Sequence, residues 1–171
     1  MKKNRLFPAA ALLLAMSPLI SHAAGYYGGL KVGAMMNDVS GFDSATNVGL
    51  NIGYAFDDYA NGPAIEGEYT TSASDGDLNI LGVKGNWDVN TFAIYGAYRF
   101  GGDLYGKVKI GYLSEDVSAS IPGLTVSGTD SGASAGIGAG WKLSPQSAIE
   151  AEYTVIEADV NFLSLGFNYT F

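Results

Sequence analysis

Large apolar side chains occupy every second position of the last nine residues of the chain. These residues are Leu163, Leu165, Phe167, Tyr169 and Phe171. The positions between them hold the small or polar residues Ser164, Gly166, Asn168 and Thr170. A period of two is that of a β-strand, whose successive side chains point to opposite faces. The C-terminal segment is therefore predicted to be a strand with one apolar face and one small, polar face.

Seven earlier segments alternate in the same way, which gives eight predicted strands. They lie near residues 26–36, 47–57, 63–71, 91–100, 104–113, 133–143 and 148–155. Each run approaches the roughly 9–11 residues that a tilted strand needs to cross membrane hydrocarbon. The pattern predicts an all-β fold: an eight-stranded antiparallel up-and-down transmembrane β-barrel with lipid outside and a narrow polar lumen inside.

The first 23 residues have the pattern of a secretory signal peptide. Lys2, Lys3 and Arg5 precede an apolar stretch, and Ser21 and Ala23 are small residues at the positions that a signal peptidase reads. We expect cleavage after Ala23, which leaves a barrel domain of residues 24–171. The alternative is a membrane anchor helix, but a stretch of about 15 apolar residues is shorter than a bilayer requires.

Removal of the signal peptide changes the charge and removes the only histidine, His22. Six cations then face 17 acidic residues, a net charge of −11, and such a chain does not bind nucleic acid through phosphate contacts. There is no cysteine. Without His or Cys, no side chain ionises near neutrality unless its pKa is strongly shifted. We therefore predict no enzyme, no cofactor and no histidine-based metal site.

The connections between the predicted strands alternate in length, and this predicts the orientation. Those after the second, fourth and sixth strands are short, whereas those after the first, third and fifth exceed ten residues. Barrels of this kind have short periplasmic turns and long extracellular loops, so both termini should be periplasmic. The aromatic residues then sort into two belts at the membrane interfaces. They are Phe56, Phe100, Trp141 and Phe171 on the periplasmic side, and Tyr69, Phe92, Tyr112 and Tyr153 on the outer side. A soluble lipocalin-like carrier, with its apolar face inside, would not need such belts.

Two pairs of strands share an internal repeat. Residues 64–70 read AIEGEYT and residues 148–154 read AIEAEYT, while residues 27–33 resemble residues 105–111. The third strand thus matches the seventh, and the first matches the fifth. A duplicated four-strand unit explains this better than convergence on a shared alternation.

Charged residues fall on the inward face of the predicted strands. They are Lys31, Arg99, Lys107, Lys109 and Lys142, with Glu66, Glu68, Glu150 and Glu152. An eight-stranded barrel has an interior wide enough only for side chains, and buried ions must pair there. We expect Lys142 to pair with Glu150, and Glu66 and Glu68 to meet Arg99 or Lys107, in a network that plugs the lumen. An ion path and an acid/base couple are the alternatives.

The chain also resembles a known family, the small eight-stranded outer-membrane barrels. This family includes the opacity-type surface proteins, the transmembrane domain of outer membrane protein A, and outer membrane protein X. The signal sequence, the opening strand at residues 26–33 and the terminal strand carry the resemblance. It implies a location in the bacterial outer membrane. It also implies that the assembly machinery recognises the terminal strand through Phe167, Tyr169 and Phe171.

The predicted extracellular loops are acidic, with only Lys84 opposing their charge. The acidic residues are Asp38, Asp43, Asp75, Asp77, Asp88, Glu115, Asp116, Asp130, Glu157 and Asp159. They serve either solubility beside anionic lipopolysaccharide or the bridging of divalent cations. The residues Leu78, Ile80, Leu81 and Val83, near Trp87, either pack on a hairpin that extends past the membrane or form an exposed adhesive patch.

The sequence therefore predicts a non-catalytic outer-membrane barrel with a plugged polar lumen. Its partners would be outer-membrane lipid, lipopolysaccharide, the assembly machinery, and a host or matrix molecule at the extracellular loops. Its role would be membrane-structural or cell-surface interaction, including adhesion. A small porin-like channel for ions or small solutes is the alternative function.

Overall fold

The computed structural model of the chain describes residues 24–37, 40–80, 82–157 and 159–171. The predicted signal peptide lies outside these ranges, as do Asp38 and Leu81. Nine strands are present in the described residues. They are β1 (Gly25–Asn37), β2 (Ala45–Ala55), β3 (Gly62–Ser74), β4 (Gly76–Ile80), β5 (Val83–Gly101), β6 (Leu104–Ile121), β7 (Leu124–Lys142), β8 (Ser147–Val155) and β9 (Val160–Thr170).

Eight of these strands close into an antiparallel barrel. Each strand pairs with its neighbours in the sequence, except that β3 pairs directly with β5, and β1 pairs with β9 to complete the ring. The short strand β4 lies along the upper part of β5. The predicted eight-stranded up-and-down barrel is confirmed. In the part of the chain that the structure covers, no helix is long and apolar enough to cross a membrane.

The strands at one end of the barrel are longer than the sequence predicts. β6 continues to Ile121 and β7 starts at Leu124, so residues 114–132, predicted to be mainly loop, form a hairpin with a two-residue turn. Gly123 has a φ of 86° in this turn, a value that favours glycine. Above the membrane the outer face of a strand does not need apolar residues. The alternation therefore fades although the pairing continues.

The hairpin predicted between the third and fourth membrane strands is also present. β3 extends to Ser74 and β5 begins at Val83, with β4 between them. Leu78 and Trp87 are buried and pack on the sheet as expected, whereas Val83 is 46% exposed. We call this end of the barrel the long-hairpin end, and the opposite end, which holds both termini of the described barrel, the short-turn end.

The barrel turns its apolar side chains outward and its charges inward. Leu30, Ile110 and Leu165 are 58%, 70% and 57% exposed on the outer face. By contrast, Lys109 and Glu152 are each only 4% exposed. This is the reverse of a soluble barrel, and it agrees with the partition that the sequence predicts.

The interior has three layers. An apolar cluster fills the long-hairpin end; it comprises Met35, Ala45, Trp87, Val89, Ala93, Tyr95, Leu113, Ile156, Val160 and Phe162. A second cluster closes the short-turn end; it comprises Tyr27, Ala55, Tyr59, Ala60, Ala64, Ala97, Tyr105 and Ala148. The charged residues lie between these clusters.

Glycines on the inner face make room for two of the three tyrosine rings at the short-turn end. A Cβ atom at Gly53 would lie 2.3 Å from Cζ of Tyr27, and one at Gly140 would lie 2.2 Å from Cζ of Tyr105. Any side chain at these two positions would displace the tyrosines. The glycine content thus follows from the narrow interior.

Arginine substitution on the outer face tests the partition. Ile137 is 64% exposed, midway along the membrane part of β7, and Ile137→Arg should lower the free energy of unfolding by about 2–4 kcal/mol in lipid vesicles. Val126 is similarly exposed, at 58%, but lies in the hairpin beyond the membrane. Val126→Arg should change stability by less than about 0.5 kcal/mol. Equal effects of the two substitutions in urea titrations would contradict the predicted membrane position.

Candidate functional site

The middle layer of the barrel brings together eight of the nine predicted lumen charges. On β3, β6 and β8 two charged residues lie two positions apart, so both point to the inner face. All eight residues are 7% exposed or less. The cations are Lys31 on β1, Arg99 on β5, and Lys107 and Lys109 on β6. The carboxylates are Glu66 and Glu68 on β3, and Glu150 and Glu152 on β8.

Four of these residues form a closed ring of alternating charge, which we call the Lys31 ring. Glu68 accepts from Lys31 and from Lys109, each with an Nζ–Oε1 distance of 2.8 Å. Glu152 closes the ring through its Oε2, which lies 2.9 Å from Nζ of Lys109 and 3.1 Å from Nζ of Lys31. Each ammonium thus lies between two carboxylates.

The other four residues form a second alternating ring nearer the short-turn end, which we call the Arg99 ring. Arg99 donates from Nη2 to Glu66 at 2.6 Å and from Nε to Glu150 at 2.7 Å. Lys107 lies opposite, with Nζ 2.8 Å from Oε2 of Glu66 and 3.1 Å from Oε2 of Glu150. Lys107 also contacts Glu152, and this contact joins the two rings.

Three tyrosines donate further hydrogen bonds to the carboxylates of the Arg99 ring. Tyr27 donates to Glu66 at 2.5 Å, while Tyr59 and Tyr105 each donate to Glu150 at 2.8 Å. The guanidinium of Arg99 lies 4.2 Å from the ring centroid of Tyr59, a cation–π contact. The carboxylates are therefore held by hydroxyl groups as well as by cations.

The two rings are neutral together, because four cations face four carboxylates. Oxygens of Glu66, Glu68 and Glu152 lie within 4.8 Å of one another, a spacing that a metal ion could bridge. Each of these carboxylates already contacts the amino or guanidinium groups of two or more cations. A divalent ion here would have to displace lysine or arginine, so the residues do not fit a metal site.

The contacts repeat with the internal sequence repeat. Tyr27 contacts Glu66 as Tyr105 contacts Glu150, and Lys31 contacts Glu68 at 2.8 Å as Lys109 contacts Glu152 at 2.9 Å. The symmetry is broken at Lys107, whose counterpart in the repeat is Gly29. The repeat thus relates two halves of one ionic layer.

The predicted pairing of Lys142 with Glu150 is wrong. Lys142 lies opposite Ala148, and Glu150 lies opposite Gly140, because the turn is centred at Pro145, one residue earlier than expected. Lys142 instead contacts Asp58 of a short turn at 3.4 Å and remains outside the rings.

The ion-pair partners predicted for the two carboxylates of the third strand are correct for Glu66 and wrong for Glu68. Glu66 meets both Arg99 and Lys107, whereas Glu68 meets Lys31 and Lys109. The tyrosines were missed by sequence reasoning. Tyr27 and Tyr105 occupy the same position of the repeat, a signal that would have identified them. No comparable pattern marks Tyr59, which reaches the lumen from a turn.

Comparison with known proteins establishes the family. The family model described as "Outer membrane protein beta-barrel domain" matches residues 7–171. The chain belongs to this family. It is an outer-membrane barrel. Such barrels share one orientation, which makes the long-hairpin end extracellular and the short-turn end periplasmic. No curated protein matches the chain.

Several solved structures of outer-membrane barrels share the fold. OprG from Pseudomonas aeruginosa is 15% identical with a TM-score of 0.64, and the match covers 88% of this chain and 98% of that one. Ail, the attachment invasion locus protein of Yersinia pestis, is 16% identical with a TM-score of 0.56, over 89% of this chain and all of that one. Its complex with the heparin analogue sucrose octasulfate has a TM-score of 0.53, at 16% identity, over 86% and 97% of the chains.

The lumen of this outer-membrane barrel has little open space in its ionic layer. A gap lined by Lys31, Asn51, Glu152 and Ser164, among others, is too narrow for a water molecule. Beside it, the amide of Asn51 donates to Asn168 at 2.8 Å, which links β2 to β9 across the interior. Side chains thus fill the section between the two apolar layers.

The terminal strand presents aromatic side chains on the outer face of the barrel. Phe167 and Tyr169 are exposed on the outer face of β9, at 45% and 39%. The rings of Tyr169 and Phe171 are 5.6 Å apart, and the backbone N–H of Phe171 donates to Tyr26 at 2.9 Å. The last residue therefore still belongs to the barrel seam.

Removal of one ring member tests the importance of the ionic layer. Arg99→Met leaves Glu66 and Glu150 undercompensated in a dry interior, and should cost about 3–5 kcal/mol of stability. Lys142→Met removes an exposed ion pair and should cost less than about 1 kcal/mol. Urea unfolding of the barrel refolded in detergent measures both variants. A loss below 1 kcal/mol for Arg99→Met would show that the rings are energetically unimportant.

Proposed function

We propose that this protein is a non-catalytic outer-membrane barrel with a plugged lumen that mediates cell-surface interaction. A partner protein would bind by adding an extended segment to the sheet that projects from the membrane. The observation that supports this proposal is a stretch of β7, residues 124–131, that is paired on one side only, with β6, and that we call the open edge.

The open edge exists because the strands beside it differ in length. β7 pairs with β6 along its whole length, whereas β8 reaches only from Ala148, opposite Lys142, to Val155, opposite Ala135. Above that point no other described strand pairs with β7. All residues from 124 to 131 are exposed to solvent.

The direction in which the backbone groups of the open edge point follows from the hydrogen bonds at the other end of β7. The N–H of Lys142 donates toward β6, to Asp103, and the N–H of Leu143 donates toward β8, to Ser147. These directions alternate along a strand, and the β6–β7 register has no shift. Residues 125, 127 and 129 therefore direct three N–H and three C=O groups away from β6, while the N–H of Ser131 donates to the carboxylate of Asp130 at 2.6 Å. Such a row is a template for an added strand.

The opposite edge of the same projecting sheet is covered. β4 forms that edge, and the loop between β1 and β2 lies along it. Asp43 donates its N–H to Asp77 at 2.9 Å, and Asn79 donates its N–H to Gly41 at 2.7 Å. One edge is thus protected by the chain itself, and the open edge is the side available to a partner.

The charge of the projecting sheet indicates the chemistry of the partner. Asp130 belongs to the open edge itself, and Asp116 lies on β6 directly opposite Thr129 of the open edge. These charges repel a sulfated polysaccharide, so the heparin-analogue binding seen for the Yersinia protein is not expected here. They favour an extended protein segment that carries Lys or Arg. Divalent cations are the other ligands for which the charge of this surface is suited.

The plugged lumen supports surface interaction over a small channel. The two rings and the apolar layers above and below them occupy the path that an ion would take. An ion crossing the barrel would have to break contacts between buried charges, each of which costs several kcal/mol. The barrel domain contains neither His nor Cys, the side chains whose ordinary pKa lies closest to neutrality, and this supports a non-catalytic role.

The exposed aromatic residues of β9 support a further part of the proposal. Phe167 and Tyr169 present their rings on the outer face of β9, and the ring of Phe171, which follows the strand, lies 5.6 Å from that of Tyr169. We propose that the assembly machinery recognises this face before the strand closes against β1.

A proline pair in the open edge tests the proposed interaction. Ser127→Pro with Thr129→Pro removes two outward N–H donors and leaves the β6 ladder intact, since both point away from β6. Bacteria displaying this variant should adhere to epithelial monolayers and matrix-coated wells at least about fivefold less than wild type, given about 1 kcal/mol per lost hydrogen bond.

The matched control for this experiment is Ser127→Ala with Thr129→Ala. It removes the same hydroxyl groups, including the bond from Thr129 to Asp116, but keeps the backbone donors. Adhesion should stay at the wild-type level. Equal adhesion of the proline and wild-type proteins at matched surface levels would rule out the open edge, and no adhesion above an empty-vector strain would rule out the function.

A further inference from the structure

The two faces of the open edge differ in chemistry. Residues 125, 127 and 129 are Thr, Ser and Thr, and they lie on the face that continues the outer surface of the barrel. Residues 124, 126, 128 and 130 lie on the opposite face, which we call the inner face of the open edge. Ser134 of the same strand is buried inside the barrel, side chains alternate along a strand, and the β6–β7 register has no shift. These facts assign the two faces.

The inner face of the open edge is apolar near the tip of the hairpin. Leu124 and Val126 are aliphatic, yet 55% and 58% of their surface is exposed. Val126 lies opposite Ala119 of β6, and Ala119 packs against the apolar cluster of the long-hairpin end. The exposed pair therefore extends that cluster along the hairpin, on the face that half of the side chains of an added strand would share.

The other two positions of the inner face are a glycine and an acid. A Cβ atom at Gly128 would meet no other heavy atom of the described residues within 4 Å, so a large side chain from a neighbouring strand has room there. Asp130 is exposed and lies opposite Glu115 of β6. Because both side chains are acidic, a cation is the cross-strand neighbour that suits this position.

An added antiparallel strand would bring its side chains close to the inner face. Residues 125, 127 and 129 direct N–H and C=O groups away from β6, so they would form the hydrogen-bonded pairs with such a strand. The inner-face residues would then form the other pairs, in which the Cα atoms are about 4.5 Å apart and the side chains lie closer together. The inner face is therefore the part of the open edge that can select a partner by its side chains.

We propose that the open edge selects an amphipathic partner segment that runs antiparallel to β7. Read from its N-terminus, the inward side chains of this segment are Lys or Arg opposite Asp130, an aromatic ring opposite Gly128, and two aliphatic side chains opposite Val126 and Leu124. Its outward side chains are polar, like Thr and Ser of β7. This inference rests on the proposed function, because it requires the open edge to accept a strand.

Binding of synthetic peptides to the barrel refolded in detergent tests the selection. The probe is the fluorescent peptide Lys-Thr-Phe-Thr-Val-Thr-Ile, and the reversed sequence Ile-Thr-Val-Thr-Phe-Thr-Lys is the control of identical composition. The probe should bind at least about fivefold more tightly, because an antiparallel strand of this order alone brings Lys to Asp130 and Ile to Leu124. Fluorescence anisotropy measures both peptides, with protein-free micelles as the background, and equal binding would contradict the proposed direction.

Substitutions at exposed positions of β7 separate the inner-face contacts from strand addition itself. Val126→Ser should weaken binding of the probe about threefold to tenfold, because an apolar contact is lost. Asp130→Asn should weaken it about threefold and reduce its dependence on salt. Ser127→Ala, on the outer face of the same strand, is the matched control and should bind the probe as wild type does. Heat-modifiable gel migration checks that each variant is folded.

Gly128 allows a reciprocal test of the space above it. Replacement of Phe by Ala in the probe should weaken binding to wild type at least about threefold, because the ring no longer covers the glycine. The same replacement should have little effect on binding to Gly128→Val, whose side chain fills that space. An equal loss for both proteins would contradict the aromatic position of the proposed segment.

The outcomes distinguish this inference from the proposed function. Weaker binding to the inner-face variants and to the proline pair supports both. Loss of binding in the proline pair alone, with undiminished binding to Val126→Ser and Asp130→Asn, would retain strand addition and overturn selection by the inner face. Undiminished binding to the proline pair would overturn strand addition and the inference with it. No binding of the probe up to roughly 1 mM would overturn the inference, while the adhesion experiment decides the proposed function separately.

Discussion

The interior of this barrel depends on the neutralisation of buried charge. Four cations and four carboxylates lie in a space with no room for bulk water, and each isolated ion would cost several kcal/mol. Two alternating rings solve this problem, because every cation contacts at least two carboxylates. Such rings require each strand to hold its register, since a shift of one residue would turn the charges toward lipid.

The apolar layers at both ends of the lumen reinforce the ionic rings. Tyr27, Tyr59 and Tyr105 belong to the periplasmic layer and also donate hydroxyl groups to the carboxylates. They exclude water and supply hydrogen bonds at once. On the extracellular side, Trp87 and Phe162 belong to a layer without charge. The buried ions are therefore shielded from both aqueous phases, which makes their pairing stronger and their separation more costly.

Because we propose that the lumen is plugged, the projecting sheet is the part of the protein that we expect to bind a partner. The part of β7 above the membrane has its free backbone on one side only, and the acidic residues around it set the charge that a partner must match. The inner face of the open edge adds the side chains that this partner would meet. Strand addition and side-chain selection are separate proposals, because the first depends on the backbone of residues 124–131 and the second on Val126, Gly128 and Asp130. The second can fail without the first.

The fold could be predicted from the sequence wherever lipid constrains the strands. Leu30, Ile110 and Leu165 alternate with small or polar residues because one face meets hydrocarbon and the other a narrow interior. That constraint ends at the membrane surface. β6 continues beyond residue 113 and β7 begins before residue 133. In these parts no alternation of apolar and polar residues is required, so the strands could not be predicted from it.

For the candidate site, the sequence predicts which residues point inward but not which of them pair. The inward position of the eight ring residues follows from the period of two, but the identity of their partners depends on register and tilt. Lys142 illustrates this point, since a turn centred one residue earlier placed it opposite Ala148. Tyr59 entered the lumen from a turn, where no periodicity operates.

The central claim is that the paired charges close the barrel. Single-channel recording of the refolded protein in a planar lipid bilayer tests it most directly. The paired network predicts no current steps above the leak of the bare bilayer for the wild-type protein at neutral pH. A large, stable and reproducible open channel would contradict it.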